Sequence, residues 1–128
     1  MKINHTIPPV YQKCHEQFGV NWEDGIIITY GDEVYCKTDI PKDLEVHEGT
    51  HIRQQKEIGK DIWWDKYFND KEFRLSQEVE AYQNQLNYLK EVVKDRNKLA
   101  KLKNEIWSQM ANMYGDMCTF SEARMLVR

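Results

Sequence analysis

The chain has 128 residues, 41% of them hydrophobic and 30% charged, which is typical of an ordinary globular protein and predicts a single domain over residues 1–128. With a formal net charge of −3, the chain has no general attraction to nucleic acid or to an anionic membrane, and we expect neither partner. It lacks an apolar run of membrane-spanning length and the apolar N-terminal stretch of a secretory signal, so we expect a cytoplasmic protein.

The first third of the sequence predicts a helix and then a β-hairpin. The helix follows the proline pair at positions 8–9, and Gly19 is placed to end it. Two runs rich in β-branched and aromatic residues, Gly25–Tyr30 and Val34–Ile40, flank a Gly-Asp pair. Such runs on either side of a turn pair are typical of two antiparallel strands.

The rest of the sequence predicts helices. Asp43 can cap a helix that runs from about Leu44 to Ile58, with Gly59 as its stop. The segment 61–70 is expected to form a short helix or a packed connection. Later helices are predicted over residues 71–103, as one helix or as two with a break near 95–97, and then over 104–114 and 122–127. The predicted fold class is therefore α+β, with a small N-terminal β-hairpin or sheet packed on a mostly helical domain.

One pentapeptide carries the chemistry of this sequence: His47-Glu48-Gly49-Thr50-His51. Residues four apart on a helix share a face, so the two imidazoles project side by side, about one turn apart. Their ring nitrogens can then bind one Zn²⁺ at about 2.0–2.1 Å each. Glu48 lies beside the first ligand and can accept a proton from a water molecule, whose pKa zinc lowers from 15.7 to about 7.

A catalytic zinc needs a third protein ligand, and no histidine follows His51, so a carboxylate is expected. Glu78 and Glu80 are the candidates on the helix predicted from residue 71. Apolar residues at alternating spacings of four and three define the core-facing side of that helix: Leu75, Val79, Tyr82, Leu86, Leu89 and Val93. At 100° per residue, Glu78 lies about 60° from the centre of this stripe and Glu80 about 140° away. Glu78 is therefore the predicted ligand, and Glu80 is expected on the solvated face.

These residues resemble those of the zincin metallopeptidases of the gluzincin type. The resemblance rests on His47-Glu-Gly-Thr-His51 followed by Glu78-Val-Glu-Ala81-Tyr82. Gluzincins take two histidines from an active-site helix and a glutamate from a later helix. Several gluzincin families carry a downstream Glu-x-x-Ala-Asp or Glu-x-x-Ala-Asn motif, and matching the alanines aligns its first glutamate, the ligand, with Glu78. The small size of the chain is similar to that of minimal gluzincins and of HExxH proteins from phage and prophage genomes.

The resemblance implies a zinc-dependent peptidase with a zincin-like active-site helix and a peptide or protein as its substrate. His47, His51 and Glu78 would hold Zn²⁺. Glu48 would be the catalytic residue, acting as general base on the attacking water and then as proton donor to the leaving amine. In zincins a strand that precedes the active-site helix aligns an extended substrate, a role that falls here to Val34–Ile40.

Aromatic residues near the motif have a structural and a functional interpretation. Tyr82, Tyr67 or Tyr35 can donate a hydrogen bond to the oxyanion that develops in the reaction, although core packing is the favoured role for each. The densest aromatic patch in the sequence comprises Trp63, Trp64, Tyr67 and Phe68. We expect it to fill the core beneath the active-site helix; a pocket wall or an oligomer contact is the alternative.

A second function remains open at the level of sequence. Glu45, Gly49 and Arg53 depart from the residues that zincin helices usually have at these positions. They favour the alternative of a non-catalytic binding or assembly protein with a zincin fold, or of a latent enzyme. In the latent form, the C-terminal segment Thr119–Arg128 would cover the cleft. Oligomeric state and cleavage preference are not predicted.

Overall fold

The computed structural model describes all residues, 1–128, as a small three-stranded sheet and six α-helices. In chain order these elements are β1 (Lys2–Asn4), α1 (Tyr11–Phe18), β2 (Ile28–Tyr30), β3 (Glu33–Tyr35), α2 (Lys42–Ile58), α3 (Lys60–Asn69), α4 (Lys71–Val92), α5 (Arg96–Asn112) and α6 (Phe120–Leu126). The predicted α+β class is confirmed. None of the helices combines the length and the apolar character that crossing a lipid bilayer requires.

The sheet contains the predicted hairpin and one strand that was not predicted. β2 and β3 pair antiparallel across a two-residue turn, in which Gly31 takes a left-handed φ of 66°. β1 pairs parallel with β3, so the strand order is β1-β3-β2 and β3 is the central strand. β1 is only three residues long, too short for its period-two pattern to stand out in the sequence.

The prediction of a strand over Val34–Ile40 was wrong in its length. β3 ends at Tyr35, and the Cys36 N–H makes one more bond, to the Asn4 carbonyl at 3.1 Å. Beyond this point neither neighbour supplies a partner, because β1 ends at Asn4 and β2 begins at Ile28, opposite Tyr35. The role of substrate-aligning strand therefore does not fit β3, whose two edges are both occupied.

The helices follow the predicted order, with corrected boundaries. α2 begins at Lys42 after Pro41 and ends at Ile58, with Gly59 as its C-cap. All of the segment 61–70 except Asp70 lies in a helix, α3. α4 and α5 are separate, because the Asp95 side chain accepts from the main-chain N–H groups of Asn97 and Lys98 and so caps α5. α5 continues unbroken to Asn112, so the division predicted near residue 104 was wrong.

Two clusters of apolar side chains flank the contact between α2 and α4. The first joins α4, α5, α6 and the connection between the last two; it comprises Tyr82, Leu86, Leu89, Ile106, Met110, Met117, Cys118, Ala123 and Val127. The second joins α1, β2 and α3 and comprises Cys14, Ile28, Trp63, Trp64, Tyr67 and Phe68. Tyr114 packs against both clusters. The predicted aromatic patch is thus core, as expected.

Candidate metal centre

The buried face of α2 is entirely polar. Its six buried residues are His47, Glu48, Thr50, His51, Gln54 and Gln55. They recur at helical spacings of three and four, so they lie on one side of the helix, the side that faces α4 and β2. Burying polar side chains destabilises a fold unless each finds a hydrogen-bond partner, and no buried side-chain nitrogen or oxygen in this protein lacks one.

Three side-chain atoms converge on this face. Nε2 of His47 lies 3.2 Å from Nε2 of His51, and Oε1 of Glu78 on α4 lies 3.2 Å from each of them. The predicted pair of histidines is therefore side by side, and the predicted third residue completes the group. All three residues are at most 5% exposed.

The donor set and its spacing fit a zinc ion. Imidazole nitrogen and carboxylate oxygen are common zinc ligands, and ligands held tetrahedrally at about 2.0–2.1 Å are about 3.3 Å apart. The three observed separations of 3.2 Å match this value. Two imidazoles and one carboxylate also leave a fourth position of a tetrahedron for water or substrate, as in catalytic zinc sites.

The two glutamates that the sequence analysis weighed occupy different places. Glu78 is 2% exposed and faces the histidines, as the helical geometry predicts. Glu80 is exposed, also as predicted, and pairs with Arg53 of α2. The other oxygen of Glu80, Oε1, accepts a hydrogen bond from Gln54 at 2.8 Å. Arg53, which departs from the usual zincin pattern, therefore lies at the outer edge of the site.

Buried His51 and Glu78 strongly shift each other's pKa values. Burial alone would lower the pKa of His51, but the Glu78 carboxylate, with smaller effects from Glu48 and Gln54, raises it to about 9. Burial likewise raises the pKa of Glu78, but His51 and His47 more than offset this and hold it well below its usual range. In the absence of metal, a proton on His51 therefore balances the Glu78 carboxylate. A divalent cation would take the place of this proton.

Glu48 lies next to the three converging atoms without being one of them. Its Oε2 is 3.9 Å from His47 Nε2, and its Oε1 accepts a hydrogen bond from Thr29 Oγ1 at 2.8 Å. The Thr29 hydroxyl fixes one carboxylate oxygen, which leaves the other facing the histidines. This is the arrangement that a general base requires: close to the reacting atoms, oriented, and still able to accept a proton.

The three tyrosines considered as oxyanion donors have other partners. The Tyr67 hydroxyl donates to Glu78 Oε2 at 2.5 Å, so it supports the carboxylate instead. The Tyr82 ring packs edge-on against His47 at 4.4 Å, and its hydroxyl lies 2.6 Å from that of Tyr114. Tyr35 donates to Glu33 on the sheet. Tyr82 therefore has the packing role that the sequence analysis favoured.

Two adjoining cavities, of about 90 and 190 Å³, open onto His47 and Glu48. Both are bordered by Ile26 and Ile27, which precede β2, and by Met113 and Tyr114 after α5. The smaller one also reaches Glu78 and the aromatic side chains beside it; its further lining includes His51, Glu78, Trp63, Trp64 and Tyr67. The patch of Trp63, Trp64 and Tyr67 is thus both core and pocket wall.

The C-terminal segment Thr119–Arg128 borders neither cavity. Ala123 and Val127 instead pack in the cluster formed with α4 and α5. From the region after α4, Met113 and Tyr114 border both cavities and Gln109 borders the larger one.

Sequence reasoning missed several partners of the site, chiefly Thr29, Gln54, Gln85 and Tyr114. Gln54 and Gln85 each meet the outer nitrogen of a histidine, at 2.8 and 3.0 Å. Glutamine is common on helices and has no motif of its own, so only their shared helix faces with His51 and Glu78 could have drawn attention to them.

No family model matches the chain, and no curated protein or solved structure is significantly similar to it. The interpretation of the site therefore depends on the geometry and chemistry of its own side chains.

Proposed function

We propose that this protein is a zinc-dependent metallopeptidase of the gluzincin type. His47, His51 and Glu78 hold Zn²⁺, and Glu48 is the catalytic general base. The observation that carries the proposal is the convergence of three ligand atoms at mutual distances of 3.2 Å, with a fourth, oriented carboxylate beside them. The resemblance of the His47–His51 and Glu78–Tyr82 segments to gluzincin motifs points to the same reaction class.

When bound, Zn²⁺ supplies Lewis acidity, which polarises the carbonyl of the scissile peptide bond and acidifies the attacking water. Glu48 takes up the proton of that water at Oε2, the oxygen that faces the histidines. It then delivers the proton to the nitrogen of the leaving amine. The Thr29 hydroxyl holds Glu48 in place throughout, because it donates to Oε1 at 2.8 Å. General acid–base catalysis of this kind contributes typically about 10²–10⁴-fold to a rate.

The segment just before β2 is suited to bind an extended substrate. The main-chain groups of Ile26 and Ile27 make no hydrogen bond within the protein, and both residues border the two cavities next to Glu48. They adjoin β2, which is an edge strand, and free N–H and C=O groups at such an edge can pair with a peptide by strand addition. This segment therefore takes the role that the sequence analysis gave to Val34–Ile40.

A binding or latent protein is the second candidate, and one observation favours it. All four chemistry-bearing side chains of the site are at most 6% exposed, so a protein substrate reaches them only after residues that border the cavities move. Met113 and Tyr114 border both cavities, together with Ile26 and Ile27, and are candidates for that movement. Catalysis and latency differ in a measurable way, since only an enzyme turns over peptide when zinc is present.

The test is hydrolysis of an unstructured protein and of a quenched fluorescent peptide library by the zinc-loaded chain. Glu48→Gln should lower turnover by about 10²–10⁴-fold and retain zinc, because an amide cannot accept the proton but leaves the ligands intact. Glu45→Gln is the matched control, a glutamate on the same helix that pairs only with Lys42 and should leave turnover unchanged. Zinc binding without any hydrolysis by the wild type would overturn the peptidase assignment and favour the binding protein.

A further inference from the structure

Both histidines of the candidate metal centre are contacted from behind by a glutamine. Nδ1 of His47 lies 3.0 Å from Oε1 of Gln85 on α4. Nδ1 of His51 lies 2.8 Å from Oε1 of Gln54, three residues later on α2. Both glutamines are buried, at 4% and 3% exposed. The two ring nitrogens that face away from the converging atoms therefore have amide partners of the same kind.

The orientation of each amide is fixed by a second partner. Gln85 Nε2 lies 2.9 Å from Asp43 Oδ2, and Gln54 Nε2 lies 2.8 Å from Glu80 Oε1. A carboxylate only accepts hydrogen bonds, so the amide end that meets it must be the NH₂ group. The other end, Oε1, is then the one that faces each imidazole.

This orientation determines where each ring carries its hydrogen. An amide oxygen only accepts, so the ring nitrogen that meets it, Nδ1, must be the donor. In the neutral ring the other nitrogen, Nε2, then keeps its lone pair. Those Nε2 atoms are the ones that converge with Glu78 Oε1. Each set of carboxylate, glutamine amide and imidazole is called a relay below. The two relays orient the imidazole rings and favour the tautomer that metal binding requires.

We propose that Gln85 and Gln54 are positioning residues for the metal ligands, held in turn by Asp43 and Glu80. The proposal rests on the metal site of the proposed function and adds the side chains that preorganise it. A glutamate would not serve at either position, because a carboxylate there would face Asp43 or Glu80 at hydrogen-bond distance and repel it.

The two relays differ in how securely they are anchored. Gln54 Nε2 also donates to the main-chain carbonyl of Gln77 at 3.1 Å, so it has two acceptors. Gln85 Nε2 has Asp43 as its only acceptor. Removing Asp43 should therefore free Gln85 to turn, whereas removing Glu80 should leave Gln54 held by the carbonyl.

The experiment measures Zn²⁺ affinity by competition with a chromogenic chelator. Gln85→Leu should weaken binding by about 10- to 100-fold, the range observed for outer partners of ligating histidines. Asp43→Ala should weaken it by about tenfold. Glu80→Ala is the matched control, because Gln54 still has the Gln77 carbonyl as an acceptor, and its affinity should stay near that of the wild type. Asp43→Asn should fall between the wild type and Asp43→Ala, because its amide can accept from Gln85 but can also donate to it.

A spectroscopic readout separates positioning from a general structural role. Long-range ¹H–¹⁵N spectra of the metal-free protein should show His47 protonated at Nδ1 and unprotonated at Nε2. The Asp43→Ala variant should show a mixture of tautomers at His47, and Glu80→Ala the wild-type pattern. This comparison holds even if Gln85→Leu fails to fold.

The proposal is overturned if Asp43→Ala and Gln85→Leu bind zinc as tightly as the wild type, or if His47 of the wild type carries its hydrogen on Nε2. Absence of zinc binding by the wild type, with the Nδ1 tautomer present, would instead contradict the proposed function and leave the relay in place. The two failures are therefore distinguishable.

Discussion

The buried face of α2 and the cluster shared by α4, α5 and α6 differ in the kind of side chain that they bury. Every buried residue of α2 is polar, whereas the cluster is built from apolar and aromatic side chains such as Leu86, Ile106 and Met110. Apolar burial contributes stability in proportion to the area removed from water. Polar burial contributes little, since each protein hydrogen bond replaces one to water.

This contrast separates a region whose packing stabilises the fold from a region whose buried polar side chains are suited to binding a metal ion. α2 lies at the centre of the fold, between the sheet and α4, a place where apolar residues would stabilise most. It carries His47, Glu48 and His51 there instead, each with hydrogen-bond partners. We therefore expect changes in the cluster to alter folding and changes on α2 to alter metal binding, and the following predictions test that division.

The largest effect on folding is expected in the apolar cluster. Ile106 is 3% exposed, and Ile106→Ala should lower the free energy of unfolding by about 2–5 kcal/mol, because it removes buried apolar surface and leaves a cavity. Urea titration followed by circular dichroism measures this change. Zinc affinity of the folded variant should match that of the wild type. If Ile106→Ala lost zinc affinity in proportion to its loss of stability, the division between a stabilising cluster and a metal-binding α2 would be wrong.

Zinc should stabilise the protein through α2 and α4. At free zinc 100-fold above its dissociation constant, the free energy of unfolding should rise by about 2.7 kcal/mol. His51→Ala should abolish this increment, because it removes one of three ligand side chains. Ile106→Ala should keep it on a lower baseline. Equal increments in the wild type and in His51→Ala would mean that zinc binds elsewhere.

The increase in unfolding free energy that zinc produces should grow as the pH rises. The pKa of metal-free His51 is raised to about 9, against burial, by Glu78, Glu48 and Gln54, so its proton stabilises the fold below about 6.5 and this contribution is lost as pH rises to about 9. Zinc must displace that proton, so its affinity increases over the same interval.

The zinc-induced increase in unfolding free energy should therefore grow between pH 6.5 and 8.5, by up to about 1.4 kcal/mol per pH unit. Thermal or urea unfolding with and without zinc at several pH values measures it. A constant increment across this range would contradict the pairing of a protonated His51 with Glu78.

The smallest effect is expected at the outer edge of the site. Arg53 pairs with Glu57 and Glu80 but is nearly half exposed, and exposed ion pairs contribute about 0–1 kcal/mol. Arg53→Ala should therefore change the free energy of unfolding by less than about 1 kcal/mol. Its zinc affinity should stay near the wild-type value, because Gln54 keeps the Gln77 carbonyl. A tenfold loss of zinc affinity in Arg53→Ala would mean that this surface ion pair contributes to the metal site.

The sequence contained most of the site, for physical reasons. Residues four apart share a helix face, so His47 and His51 had to lie side by side once α2 formed. The apolar stripe of α4 fixed its rotation, which separated buried Glu78 from exposed Glu80. Both inferences need only the regular geometry of a helix, and both agree with the structure.

What the sequence could not supply depends on contacts between distant segments. β1 is a strand only because β3 pairs with it, and residues 37–40 are not a strand because β1 and β2 do not extend alongside them. Gln85 and Asp43 meet across the α2–α4 contact, and their distance of 2.9 Å follows from helix packing that no local pattern encodes. Tyr67 was considered as an oxyanion donor, with core packing as its favoured role, whereas its hydrogen bond to Glu78 depends on how α3 packs on α4.

The zinc content of the purified chain is the decisive measurement for the assignment of His47, His51 and Glu78 as zinc ligands. Wild type grown with zinc and then dialysed should hold zinc at a molar ratio near one, while folded Glu78→Ala and His51→Ala should lose it. A wild type without zinc, a wild type that holds iron in its place, or a Glu78→Ala variant that keeps the full zinc content would contradict the account.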